Sequence, residues 1–133
     1  MRSLPIRAFL APAALVRSHG YTPRSVAEYH ENQTLRVLVG TRPTAGLGYD
    51  QQAFFFVDGR YIGTDAKEPS AIVRVLSQND TEVALAYSLY RRGDALGSPS
   101  GGQAVVHFQL NNGQLQSIEQ LPPTSVSSGV GRY

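Results

Sequence analysis

The sequence predicts an α+β domain, an N-terminal helix packed on a mostly antiparallel sheet of about six strands. Three observations predict it. Apolar residues recur at helical spacing before Gly20. From Thr34 onward they alternate with a period of two. Two turn-forming pairs, Asp58-Gly59 and Asn112-Gly113, stand between apolar runs. The expected layout is one domain over 1–123, with a helical part at 5–30 and a sheet at 34–121. A flexible C-terminal tail is expected over 124–133.

The helix is expected over residues 5–18, where Leu4, Ile6, Phe9, Leu10, Ala13, Ala14 and Val16 form an apolar stripe. Pro12 should break or kink it, because proline donates no backbone N–H. Arg2, Arg7 and the triplet Ala11-Pro12-Ala13 touch on the pattern of a secretory signal. The apolar stretch is short and stops at Arg17, so it reads as an amphipathic helix lying on the sheet. Thr22-Pro23 reads as an N-cap with proline at the first helical position, which suggests a second short helix over 23–30.

Leu35, Val37 and Val39 alternate through the first strand, and 41–48 is a loop by its Pro43, Gly46 and Gly48. The next strand, 51–57, holds Phe54, Phe55 and Phe56 in succession, so rings point from both of its faces. Asp58-Gly59 then forms a hairpin, since type I′ turns need positive φ at both central positions. Strands follow at 71–77 and 81–90. In the latter, Val83, Leu85, Tyr87 and Leu89 oppose the small Ala84, Ala86 and Ser88. That small-residue face is the expected dock for the helix. Residues 91–102 (RRGDALGSPSGG) read as a flexible connection, and 103–111 and 114–121 form the second hairpin around Asn112-Gly113. The expected core is Leu35, Val37, Phe55, Val57, Val75, Val83, Leu85, Tyr87, Val106 and Phe108.

Composition narrows the function. The 133 residues carry a net charge of +2, too small an excess to mark a nucleic-acid surface. Lys67 is the single lysine beside eleven arginines, a skew that fits a GC-rich genome. Without cysteine there is no disulfide, thiolate or Cys-ligated zinc, and no apolar run reaches the roughly 18 residues of a membrane span.

No catalytic, cofactor-binding or metal-binding residue is expected. His19, His30 and His107 show no ligand spacing. Asp58 and Asp80 are turn formers. Asp65 and Glu68 belong to an acidic loop that reads as solvated. The glycine-rich 97–102 lacks the lysine and the strand-to-helix setting of a phosphate cradle, and Ser98 and Ser100 have no nucleophile elbow around them. Arg92-Gly93-Asp94 is an RGD triplet of common residues. Asn32-Gln33-Thr34 and Asn79-Asp80-Thr81 fit the N-glycosylation pattern, which matters only in a eukaryotic secretory route. The Phe54–Phe56 run has no basic residue beside it, unlike single-strand nucleic-acid platforms.

The segment from Gln51 to Asp65 (QQAFFFVDGRYIGTD) resembles the LppP/LprE lipoprotein family of mycobacteria and other actinobacteria. So do Glu68-Pro69-Ser70, Asn79-Asp80-Thr81, Tyr87 to Arg91, Gly93-Asp94, Pro99 to Gly102, Gly113 and Pro122-Pro123. The resemblance spans about residues 35–123. It implies an exported, cell-envelope protein and brings no reaction, cofactor or ligand. Family members carry a lipobox cysteine; with no cysteine here, no membrane anchor is expected in this chain, and a cytoplasmic location stays open.

The expected function is a non-enzymatic envelope accessory or binding domain. One alternative is a small apolar-ligand pocket between helix and sheet, lined by Phe54 and Phe56. Another is a protein-partner module, including a homodimer. No nucleic-acid partner is expected.

Overall fold

The computed structural model describes residues 4–43 and 49–133. In it the period-two stretches build two facing four-stranded antiparallel sheets, in place of one sheet of about six strands. The first sheet has the order β1 (Thr22–Pro23), β2 (Leu35–Arg42), β3 (Asp50–Val57) and β4 (Arg60–Thr64). The second has the order β5 (Val73–Gln78), β6 (Glu82–Ser88), β8 (Gln103–Asn111) and β9 (Gln114–Ser117). Two short strands, β7 (Tyr90–Arg91) and β10 (Val130–Gly131), pair separately. The helix α1, Leu4–Ser18, precedes them all.

The reason for two sheets lies in the strands themselves. β5, β6 and β8 alternate large apolar side chains with small or polar ones, so one face needs a cover. Val73, Val83, Leu85, Tyr87, Val106 and Phe108 meet Leu35, Val37, Val39, Ala53 and Phe55 of the first sheet in one buried cluster. Eight of the ten expected core residues belong to it, and Val57 and Val75 pack against it partly buried.

Both hairpins form where the turn pairs stand. Asp58 and Gly59 have φ of 51° and 88°, and Asn112 and Gly113 have 55° and 79°. Two positive φ values in succession are what a type I′ turn requires. The strand expected over 114–121 is shorter, because Glu119 takes over one ladder position: its carboxylate accepts the His107 backbone N–H at 2.6 Å.

The N-terminal region departs most from expectation. α1 runs through Pro12 without a break, so one missing donor does not end it. It closes at Gly20 (φ 84°), with Gly20 N–H donating to Arg17 and Tyr21 N–H donating to Val16. That pair of bonds is the Schellman arrangement. The second helix expected over 23–30 is absent. Pro23 instead joins the edge strand β1, and a single 3-10 turn, Val26–Glu28, is capped by the Ser25 hydroxyl. The loop expected at 41–48 falls outside the described residues from 44 to 48, and 41 and 42 extend β2.

α1 does not dock on the Ala84, Ala86 and Ser88 face. It lies on the outer face of the first sheet, where Val16, Tyr21 and Tyr29 pack on Leu38, Phe54 and Phe56. Gly40 is the small residue that admits it. A Cβ there would stand 2.8 Å from Val16 Cγ1 and 2.9 Å from Tyr21 Cβ. Ala84 and Ala86 instead sit between longer neighbours in register, His107 and Arg74 among them, and Arg74 reaches across β6 to Gln103.

The segment expected to be a flexible tail, 124–133, is packed. A 3-10 turn (Val126–Ser128) leads into β10, which pairs with β7, and Arg132 is buried. The physical reason is its hydrogen bonding, set out below.

The Gly40 contact gives a direct test of helix docking. Gly40→Ala should cost about 1–3 kcal/mol, the usual range for overpacking a filled interior, read by chemical denaturation. An unchanged midpoint would show that α1 is not seated on β2.

Candidate functional site

Most of the polar residues singled out in the sequence are absorbed by local structure. Asp80 accepts the Thr34 N–H at 2.9 Å, and Asn79 Oδ1 accepts from Thr81 N and Glu82 N. Asp58 occupies the hairpin turn. Asp94 of the RGD triplet accepts from the Arg91 N–H at 2.8 Å, the Ser100 N–H at 2.7 Å and the Ser100 hydroxyl. Those donors hold its carboxyl below the usual range. They also fasten the 91–102 loop, which was expected to be a flexible connection, and use up the carboxylate that an RGD ligand would present.

The histidines are separate. His19 abuts Phe54 and Tyr61, with ring centroids 5.5 and 5.3 Å away. His30 is exposed. His107 holds Glu119 at 2.9 Å through Nδ1, and Glu82 lies 3.9 Å from its Nε2. Among the described residues no three His, Asp or Glu side chains are grouped to hold a metal ion.

Asp65 corrects the reading of 64–69 as a solvated acidic loop. It is buried, and it ties the two sheets together. Its Oδ1 accepts the Ala53 N–H of β3 at 3.0 Å, and its Oδ2 accepts the Tyr87 hydroxyl of β6 at 2.7 Å. Burial raises its pKa to about 6, against the pull of those bonds and of the Arg132 charge. Burial also raises the pKa of the Tyr87 hydroxyl, with the Asp65 charge adding to the effect. A second tie is Gln51, whose Oε1 accepts the Val73 N–H of β5 at 2.7 Å. Glu68, the other acidic residue of the loop, is exposed.

The space between helix and sheet is filled among the described residues. Phe54 and Phe56 are fully buried, closed by Tyr21, Tyr29 and Tyr61 at ring distances of 5.5–6.2 Å. These rings pack on one another.

An open groove of about 730 Å³ lies elsewhere, at the end of the first sheet. Arg42 of β2 and Asp50 of β3 form one wall, the 67–69 loop a second, and the 124–126 turn with Tyr133 a third. Arg42 Nη2 lies 3.1 Å from Asp50 Oδ2, and Tyr133 donates its hydroxyl to Asp50 Oδ1. Burial and the neighbouring Asp50 push the Tyr133 hydroxyl up to about 12.

Beneath the groove lies the buried Arg132. Its Nε donates to the Ser70 hydroxyl at 2.8 Å, its Nη1 to the Pro122 carbonyl at 2.5 Å and its Nη2 to the Glu68 carbonyl at 3.4 Å. Each of these acceptors is neutral, so the guanidinium is satisfied by geometry rather than by an ion pair. Sequence reasoning missed this site. No local pattern distinguishes Arg132 from a solvated arginine in a Ser/Gly-rich tail.

Against known proteins, the model of the LppP/LprE lipoprotein family matches residues 27–113. No curated protein and no solved structure matches the chain.

The Asp65 tie has a definite pH signature. Its folded pKa, about 6, lies above its unfolded value of 3.8. The folded chain therefore holds a proton there that the unfolded chain has released, and this group adds stability as pH falls through 6. Wild type should gain about 1 kcal/mol on Asp65→Asn between pH 7 and pH 5. Urea unfolding of both proteins at the two pH values measures it. A constant difference would mean that Asp65 titrates alike in both states.

Proposed function

The chain belongs to the LppP/LprE lipoprotein family, and from that membership we propose that it is a non-enzymatic binding domain of the actinobacterial cell envelope. Family membership supports the envelope location. The single observation that carries the binding role is the groove at the end of the first sheet. Its volume falls within the roughly 300–1,000 Å³ of small-ligand sites, and Arg132 beneath it ties the 67–69 loop to the chain just before the 124–126 turn.

The non-enzymatic reading is supported by where the polar groups are spent. Asp94 fastens a loop, Asp65 joins the sheets, and His107 anchors Glu119. A protein partner or a second copy of the chain is less well supported. The large apolar residues exposed among the described residues are three, Val26, Leu76 and Ile118, and they are far apart in sequence.

Two measurements test the reading. The full-length gene product, followed in its own host, should fractionate with the envelope and be cut by protease added to intact cells. A purely cytosolic pool would refute the location. The purified chain should show no turnover of ester, peptide or glycan substrates above the blank, and turnover abolished by a single substitution would make it an enzyme.

A further inference from the structure

The groove also points to a class of ligand, on the reading above that this is a binding domain. Its charges cancel. Arg42 stands against Asp50, and Lys67 is followed by Glu68 on the exposed rim. Neither the Lys67 nor the Glu68 side chain has an ion-pair partner among the described residues, so both are available to a ligand. A bare anion would meet Asp50 and Glu68, and a bare cation would meet Arg42 and Lys67. Either would leave a like charge close by in a partly desolvated wall, an arrangement that costs binding energy. An apolar ligand would strip water from four charged groups and return no hydrogen bond.

A polyhydroxylated neutral molecule suits the groove. Each of its hydroxyls donates one hydrogen bond and accepts others, so it can satisfy Lys67 and Arg42 as donors and Glu68 as an acceptor without changing the charge balance. The ring of Tyr133 provides apolar surface for the C–H face of a sugar. Its hydroxyl is already fixed on Asp50, which sets the ring's position before any ligand arrives. The walls are also set beforehand. Arg132 bonds the Glu68 carbonyl on one side and the Pro122 carbonyl, just before the 124–126 turn, on the other. The backbone of these two walls therefore needs little ordering on binding.

We infer that this groove binds a neutral, polyhydroxylated ligand, a short uncharged oligosaccharide, through Lys67, Glu68 and Tyr133. The test uses the whole chain on an array of immobilised neutral and acidic oligosaccharides, with calorimetric titration of the strongest neutral binder. Neutral glycans should be retained. The double variant Lys67→Ala, Glu68→Ala should bind them at least tenfold more weakly with an unchanged melting temperature, since both side chains are exposed. Tyr133→Phe keeps the ring and should retain more binding than Tyr133→Ala. Binding confined to acidic glycans would overturn the neutral class while leaving a ligand-binding domain. Neutral binding indifferent to the double variant would place the ligand elsewhere, and no retention of any glycan would overturn the inference. None of these outcomes bears on envelope location, which the fractionation decides separately.

Discussion

Strand β3 must be covered on both faces, and the architecture follows from that requirement. Phe54, Phe55 and Phe56 are consecutive, so a strand carrying them cannot turn a polar face to water. Phe55 is met by the second sheet, where its ring lies 5.2 Å from that of Phe108. Phe54 and Phe56 are met by Val16, Tyr21 and Tyr29, which come from α1 and the segment after it. The result is three layers, helix on sheet on sheet, with β3 and its neighbour β2 in the middle. Burying one such ring contributes on the order of 2–3 kcal/mol, so the three together outweigh any single polar tie in the molecule.

What the sequence makes legible here is local. Asp58-Gly59 and Asn112-Gly113 mark their hairpins because the backbone they require is one that few other residues adopt. The strands and most of the core follow from alternation. The resemblance carried by Gln51 to Asp65 leads to the same family that matches over residues 27–113. What stays illegible depends on contacts between distant segments. Alternation does not say whether strands share one sheet or face each other in two. Nor does it pair Gly40 with Val16, which is what seats the helix on the first sheet.

The candidate site illustrates the same limit. Asp65 lies in a loop among Lys67, Glu68 and Pro69, a composition ordinarily exposed. It is buried because Tyr87, 22 positions away, hands it a hydroxyl. The groove residues are scattered from Arg42 to Tyr133, and no single motif holds them. A groove built in this way draws its walls from segments far apart in sequence and forms only when they meet.

Arg132 shows what that gathering entails. It bonds Ser70 across 62 positions, and Tyr133 reaches Asp50 across 83. Synthesis delivers those two residues after everything they contact. While the chain is being made, the sheets can begin to pair, yet the groove has no third wall until residues 124–133 arrive. The contacts that complete the fold are the ones that complete the groove, so the two form together.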